Sequence, residues 1–185
     1  MNIVAIIPAR EGSKRLKHKN IYPIKGKPLI EYTIDAALRS TYINKSNLYI
    51  STDFDKVKDL GAKRELKVIS RPEHLSGDTV WTQDVINHVD DCINKLEDED
   101  IIIILQANSP QMTSDVIDKC VEMLIQHKLW QVHTVDENFI HNGAIQVMKR
   151  KVSNHKGKVN YNGVIKTDWI DVHVKEDIET LENIL

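Results

Sequence analysis

The sequence predicts an α/β layered fold with a largely parallel β-sheet, and two observations support this prediction. Short apolar runs of strand length alternate with longer stretches of helical periodicity, which is the pattern of strand–helix–strand units. The first run, 3–7, is continuously apolar and rich in β-branched residues, as expected for a strand covered on both faces. We therefore expect the carboxyl ends of successive strands to meet at one edge of the sheet, where such folds bind ligands.

The elements of the first half follow from local patterns. After the strand at 3–7, apolar residues at helical spacing predict a helix over 28–40, with a proline near its first turn. The stretch 47–51 (NLYIS) predicts the second strand, and Asp53 is expected to cap a helix that runs to residue 62. The short apolar run 67–69 predicts a third strand.

In the second half of the chain, the periodic patterns of apolar residues are clear at first and weaker towards the end. An amphipathic stretch predicts a helix over 79–96, and the most apolar run of the chain, 101–106 (IIIILQ), predicts the central strand. A further helix is predicted over 115–127. Beyond it the patterns weaken: strands are predicted at 131–135 and 144–148, the stretch 153–166 is polar and contains glycine, and the tail 169–185 predicts a strand and then a helix.

Length and composition predict a single globular domain spanning 1–185, and the two cysteines, which show no disulfide pattern, predict that it resides in the cytoplasm. The net charge of −2 excludes the overall basic character of a general nucleic-acid binder. No stretch approaches the roughly 20 apolar residues of a membrane span, and the first strand has no charged region before it, so neither a membrane nor a signal peptide is expected. Cys92 and Cys120 match no metal or redox spacing and are expected to be buried, reduced thiols.

The stretch 10–20, directly after the first strand, concentrates positive charge. It carries five Lys or Arg and one acid, although the whole chain is slightly acidic. Its Gly12-Ser13 pair lets backbone amides approach an anion closely, and cationic side chains neutralise phosphate. The stretch lacks the Gly-Lys-Ser/Thr ending of a P-loop and the spaced glycines of a dinucleotide fingerprint. On spacing alone, a phosphate-binding loop and a solvated surface loop are equally supported. We call the stretch 10–20 the basic loop.

A series of motifs resembles one family. The opening IIPAREGSKRLKHKN followed by GKPLI resembles the P-A-R-x-G-S-K-R, K-N and G-K-P-L signature of the acylneuraminate cytidylyltransferases, the CMP-sialic acid synthetases that activate acidic sugars. STDFDKV, RPEHLSGDT, ILQANSP, HNGAIQV and WIDVHVKEDIETLE resemble later segments of that family, in the family's order. The resemblance covers nearly the whole chain. It implies a three-layer Rossmann-like nucleotidyltransferase fold with a mainly parallel mixed sheet.

The resemblance also assigns roles to individual residues. The residues that it implies for the nucleotide are Ala9, Arg10, Gly12, Ser13, Lys14, Lys19 and Asn20 from the basic loop and its approach, and Arg71, Thr82 and Gln106 from later loops. Of these, Arg10, Lys14 and Lys19 are expected to act in catalysis together with Asp171. Asp171 matches the first acid of a terminal D-x-D pair that holds Mg²⁺, and His173 stands where the family has the second.

The reaction implied is the transfer of CMP from CTP to an acidic sugar, sialic acid-like or another 2-keto sugar acid, with release of pyrophosphate. Positioning and charge neutralisation supply most of the catalysis in such transfers, so cationic loops and a metal suffice. Two alternatives stay open: an enzyme of the same fold with another small acceptor, such as a phosphonate, and a non-catalytic CTP-binding protein.

Three places depart from the family pattern. His173 replaces an acid, and imidazole is a better ligand for other divalent metals than for Mg²⁺. Gln111-Met112 replaces a Leu-Arg pair. Only the stretch 136–141 (DENFIH) joins the strand at 131–135 to Asn142, where the family has a longer acceptor and dimerisation segment. We therefore expect a preserved nucleotide half and a shortened acceptor and dimerisation region around 131–166, which leaves less contact for the homodimer that the resemblance implies.

Overall fold

The computed structural model describes residues 1–93, 96–153 and 161–185. The strands are β1 (Ile3–Pro8), β2 (Pro23–Ile24), β3 (Lys27–Pro28), β4 (Leu48–Thr52), β5 (Lys67–Ser70), β6 (Ile101–Leu105), β7 (Gln131–Val135), β8 (His141–Lys149) and β9 (Asn162–Lys166). The helices are α1 (Leu29–Arg39), α2 (Asp55–Lys63), α3 (Thr82–Ile93), α4 (Ser114–Gln126), α5 (Arg150–Ser153) and α6 (Lys175–Ile184). Short 3-10 turns lie at Lys19–Ile21 and Glu73–Leu75.

Seven of these strands form one mixed sheet in the order β5–β4–β1–β6–β8–β7–β9. Strands β5, β4, β1 and β6 are parallel neighbours, while β8 runs antiparallel to both β6 and β7. Strand β9 lies parallel to β7, and β2 pairs with β3 in a separate hairpin. The carboxyl ends of β1, β4, β5 and β6 therefore share one edge of the sheet. The prediction of a mainly parallel mixed sheet in an α/β fold is confirmed.

Helices cover both faces of the sheet, and strand β6, which is apolar on both of its faces, shows why both must be covered. All residues of β6 are buried. Ile103 packs in the cluster that includes α1, α2 and α4, whereas Ile102 and Ile104 pack in the cluster that includes α3 and α5. A third cluster joins Ile178 of α6 to Leu16 of the basic loop. The basic loop is therefore held against the C-terminal helix by apolar packing.

Several boundaries differ from the prediction. Helix α3 begins at Thr82 rather than at residue 79, and β8 is longer than the predicted 144–148. Asp53 does not cap α2: its carboxylate accepts a hydrogen bond of 2.8 Å from the backbone N–H of Glu11, in the basic loop. The capping prediction was wrong because a partner distant in sequence takes this carboxylate.

The last third of the chain contains the largest corrections. Part of the polar stretch 153–166 forms strand β9, paired along its whole length with β7, and residues 154–160 lie outside the described part. The tail 168–173 is not a strand: its backbone N–H groups at Ile170 and Val172 donate to Gln111 Oε1 and Asn108 O, at 2.8 Å each. These bonds tie the tail to the loop after β6 instead of to a neighbouring strand.

The cysteines also differ from expectation. Both are free thiols, but only Cys120 is buried, which raises the pKa of its thiol to about 12, whereas Cys92 is exposed. Within the described ranges, no helix has both the length and the apolar character needed to cross a membrane.

Candidate active site

A cavity of about 190 Å³ opens where the loops after β1, β5 and β6 meet at the edge of the sheet. Its lining includes many of the residues that the sequence motifs marked: Arg10, Ser13, Lys19, Asn20, Arg71, Thr82 and Gln106. Residues to which the resemblance assigned no role complete the wall, among them Leu75, Asp78, Val80 and Asn108. The expected meeting of loops at one edge is thus observed, and we call this space the first cavity.

A second cavity of about 190 Å³ lies beside it and is lined by Lys14 and His173, among other residues. The two cavities share the residues Arg10, Ser13, Lys19 and Asp78. Ala9, Gly12 and Asp171 belong to the lining of neither. The sequence-predicted residues therefore fall into two adjoining groups rather than one pocket.

Hydrogen bonds to neighbouring strands fix the path of the basic loop. The side-chain amide of Asn20, which is buried, donates to the carbonyl of Arg10 at 2.8 Å. The carbonyl of Ala9 accepts a bond of 2.6 Å from Thr52 Oγ1 at the end of β4. At Gly12, an added Cβ would meet no atom within 4 Å. The loop is thus anchored at both ends, while the space beside Gly12 stays open.

Asp78 binds two cations of the basic loop. Its Oδ1 lies 2.7 Å from Arg10 Nη1 and its Oδ2 lies 2.5 Å from Lys14 Nζ. These hydrogen bonds, from Lys14 first and then from Arg10, hold the pKa of the Asp78 carboxyl below its usual value. The motif RPEHLSGDT places Asp78 in the same loop as Arg71 but does not reveal this contact with the basic loop.

Arg71 is a buried cation held in one orientation. Its Nε donates to Ser51 Oγ at 3.3 Å and its Nη2 donates to the Ser51 carbonyl at 2.8 Å, at the end of β4. Burial lowers the pKa of its guanidinium to about 10, against an opposing effect of Asp53. Arg71 therefore stays charged at neutral pH, and its position is set by the strand rather than by a ligand.

Lys19 lines both cavities, and Asp171, which lines neither, is near enough to act on its charge. Lys19 Nζ donates to the carbonyl of Val172 at 3.0 Å. Burial lowers the pKa of Lys19, and the charge of Asp171 opposes that shift. Asp171 accepts a hydrogen bond from the hydroxyl of Ser109, yet burial raises the pKa of its carboxyl. Desolvation of both groups strengthens their electrostatic effect on any charge placed between the cavities.

Comparison with known proteins identifies the family. A family model described as cytidylyltransferase matches residues 4–166. The chain belongs to the cytidylyltransferase family. It is 32% identical over 151 residues to an N-acylneuraminate cytidylyltransferase of Streptococcus agalactiae serotype III. That match covers 82% of this chain but 36% of the relative, so the chain spans about a third of that relative's length.

Two solved structures share the fold of this cytidylyltransferase-family chain. One is a CMP:2-keto-3-deoxy-manno-octonic acid synthetase complexed with CTP, with a TM-score of 0.81, 16% identity, and coverage of 100% of this chain and 98% of that one. The other is a Mycobacterium tuberculosis protein in complex with manganese, with a TM-score of 0.72, 13% identity and full coverage of both chains. At these identities the likeness extends to the fold alone.

The donor atoms of this family member suit a metal that is shared with a ligand. Among residues 1–93, 96–153 and 161–185, no three His, Cys, Asp or Glu side chains are grouped to hold a metal by themselves. Mg²⁺ usually takes one or two carboxylates and fills its remaining positions with water and phosphate oxygens. Asp171, held by Ser109 and close to Lys19, supplies one such carboxylate. The residues present therefore fit a metal that arrives with a phosphate ligand.

Two places where the sequence departs from the family pattern are compact. Met112, at the position of the expected arginine, is buried in the core, and Gln111 binds the tail. The connection between β7 and β8 is a tight turn, in which Asp136 Oδ1 accepts bonds from Asn138 N and Ile140 N at 2.9 and 2.8 Å. At the turn, Lys166 Nζ lies over the Phe139 ring, 3.9 Å from its centre.

Sequence reasoning missed two pairs in this region. The hydroxyl of Ser109 binds Asp171 across the edge of the sheet, and the rings of His133 and His141 lie 4.7 Å apart on β7 and β8. Ser109 stood within the ILQANSP motif, but its partner is distant in sequence. Asp177 caps α6: its Oδ2 accepts bonds from His173 N and Val174 N at 2.7 and 2.9 Å.

Proposed function

We propose that this chain is a cytidylyltransferase that transfers CMP from CTP to an acidic sugar and releases pyrophosphate. The observation that carries the proposal is the first cavity, where Arg10, Lys19 and Arg71 meet from loops distant in sequence. Membership of the cytidylyltransferase family supports CTP as the substrate. The synthetase that shares the fold was itself solved with CTP, which adds support for the same nucleotide here.

The nucleotide is proposed to lie along the basic loop. Arg10, Ser13 and Lys14 bind its phosphates, with the backbone at Gly12 approached closely because no side chain fills that space. Ala9 and Asn20 hold the loop in position through their hydrogen bonds. On the cytosine and ribose side, the proposed contacts are Arg71, Thr82 and Gln106, beside the apolar Leu75 and Val80.

The reaction then follows from charge and position. A hydroxyl of the acceptor attacks the α-phosphorus of CTP and loses its proton to solvent. A new P–O bond forms, and the bond to the bridging oxygen breaks as pyrophosphate leaves with its electron pair. Lys19 lies between the cavities and stabilises the negative charge that grows at the α-phosphate in this step. Arg10 and Lys14 stabilise the leaving pyrophosphate.

Asp171 and His173 are proposed to hold a divalent metal, Mg²⁺ or another. When bound, such an ion neutralises phosphate charge and orients oxygens around the α-phosphorus. Asp171 supplies a carboxylate oxygen oriented by Ser109. The imidazole of His173 lines the second cavity and favours metals other than Mg²⁺. Replacing it in His173→Asp should raise activity with Mg²⁺ relative to manganese, as measured by the ratio of rates with each ion.

The acceptor is proposed to be a 2-keto sugar acid, because the similar proteins act on N-acylneuraminate and 2-keto-3-deoxy-manno-octonic acid. The buried Met112 and the short turn between β7 and β8 favour a smaller acceptor than sialic acid or a different acidic one, such as a phosphonate. The same features keep a non-catalytic CTP-binding protein as the second candidate function.

One assay separates these candidates. Pyrophosphate release is followed with CTP, Mg²⁺ or manganese, and a panel of 2-keto sugar acids and phosphonates. Release that depends on one acceptor class supports the proposal and names the class. Saturable CTP binding without release with any acceptor supports the non-catalytic protein. Absence of both CTP binding and release contradicts a nucleotide function altogether.

A homodimer is proposed as the assembly. Phe139 and Ile140, at the turn between β7 and β8, are each 64% exposed, and apolar side chains in such a position favour contact with a second chain. Light scattering of the purified chain should give the mass of a dimer. A monomer at all accessible concentrations would contradict the assembly without affecting the nucleotide proposal.

A further inference from the structure

The carboxylate of Asp78 lies against the basic loop, where it pairs with two cations. Its two oxygens each contact a different cation, Arg10 at 2.7 Å and Lys14 at 2.5 Å. Arg10 also donates to the carbonyl of Ser76 at 3.4 Å. A phosphate group binds arginine and lysine through separate oxygens in the same manner. The loop that carries Asp78 is therefore fastened onto the two cations proposed to bind the phosphates of CTP.

The position of Asp78 also divides the available space. The residue lines both cavities, together with Arg10, Ser13 and Lys19. Each cavity measures about 190 Å³, which is below the roughly 300–1,000 Å³ of sites that enclose a ligand of nucleotide size. The bridge from Asp78 to the basic loop thus stands between two spaces that are each too small for CTP.

The ion pairs of Asp78 with Arg10 and Lys14 are weak enough for a ligand to replace them. Lys14 is 82% exposed and the side chain of Asp78 is 37% exposed, so both ion pairs are screened by water. Exposed ion pairs contribute little to the free energy of folding, so they are easily broken and formed again. A triphosphate carries several negative charges and can replace the single carboxylate at both cations at once.

We propose that Asp78 is a latch that closes the phosphate site in the ligand-free protein and is displaced by the triphosphate of CTP. Displacement frees Arg10 and Lys14 and joins the two cavities into one site. This inference rests on the proposed function, since it concerns the same cations. It makes Asp78 a competitor of the nucleotide rather than one of its ligands, and the apparent affinity is reduced by the fraction of molecules that are latched.

The test is a set of calorimetric titrations with CTP and with inorganic triphosphate, each with Mg²⁺ and again with EDTA. Asp78→Asn keeps the size of the side chain and removes its charge, so binding of both ligands should tighten about three- to tenfold in both conditions. Asp78→Glu keeps the charge and should bind like the original protein. Asp84→Asn is the matched control, because it removes one exposed carboxylate from the first turn of α3 and should change affinity less than about twofold.

Each of the other outcomes either supports or contradicts the latch. Weaker binding by Asp78→Asn with Mg²⁺ but unchanged binding with EDTA makes Asp78 a metal ligand and overturns the latch. Unchanged or weaker binding in both conditions also overturns it. If inorganic triphosphate binds and tightens in Asp78→Asn while CTP does not bind, the latch stands and the proposed CTP function fails. If neither ligand binds any variant, both proposals fail. Equal melting temperatures of the variants show that each result concerns binding and not folding.

Discussion

Two loop regions at the same edge of the sheet differ in character. After β1, the basic loop is anchored by hydrogen bonds from Asn20 and Thr52, and Arg71 is locked onto the end of β4. Between β7 and β8, whose connection lies at the same edge as the carboxyl end of β6, a tight turn leaves Phe139 and Ile140 exposed. Under the proposed function, the first region positions cations for the nucleotide and the second leaves only a small space for the acceptor.

Lys19→Ala should have the largest effect, because it removes a partly buried charge between the two cavities. We expect kcat/KM for pyrophosphate release to fall about 10²–10³-fold. Lys17→Ala is the control from the same loop, since Lys17 is exposed and lines neither cavity; its effect should stay within about twofold. Equal, small effects of the two substitutions would mean that the basic loop is only a solvated surface.

Ser109→Ala should have the next largest effect, and on metal affinity in particular. The substitution removes the hydroxyl that donates to Asp171, so the carboxylate loses its orientation. Loss of such an outer partner typically weakens metal affinity about 10–100-fold. The measurement is the dependence of pyrophosphate release on metal concentration. CTP binding in EDTA should be unchanged, and an unchanged metal dependence would argue against Asp171 as a ligand.

Much of the fold could be predicted because the buried parallel strands are continuous apolar runs, as β6 shows. Strand β9 could not be, because it lies at the open edge of the sheet and its residues alternate between exposed and half-buried, which gives a polar sequence. The tail 168–173 has the β-branched residues typical of a strand, but Asn108 and Gln111 accept its N–H groups, so it pairs with no neighbouring strand.

The candidate site shows the same division. Many residues of the first cavity could be predicted from sequence motifs, because each motif lies within a single loop. The contacts of Asp53 and Asp78 with the basic loop, and of Ser109 with Asp171, could not be, because each joins parts of the chain that only the folded sheet brings together. Side-chain partners distant in sequence leave no periodic signal.

Gly12→Ala should separate ligand binding from folding. The new methyl group meets no protein atom within 4 Å, so the melting temperature should not change. It does enter the space proposed for the phosphates, and CTP affinity should fall about tenfold. Gly26→Ala is the reverse control: its φ of 77° strains alanine, so the melting temperature should fall while CTP affinity stays the same. A Gly12→Ala protein with full affinity would move the phosphates away from this loop.

The smallest effect is expected at the turn between β7 and β8. Phe139→Asn suits the φ of 62° at this position and removes an exposed ring, and Ile140→Ser removes its neighbour. The doubly substituted chain should keep its stability within about 0.5 kcal/mol and its CTP affinity within about twofold. Its mass by light scattering should shift towards the monomer. A large loss of CTP affinity would show that this turn and the nucleotide region are not independent.

Calorimetric titration of CTP tests the central claim most directly, namely that the loops at the ends of β1, β5 and β6 form a nucleotide site. The account predicts saturable binding of one CTP per chain in the presence of a divalent metal, and loss of that binding in Lys19→Ala. Using both the original protein and Asp78→Asn ensures that the latch does not hide a weak site. Absence of saturable CTP binding in both proteins would contradict the account.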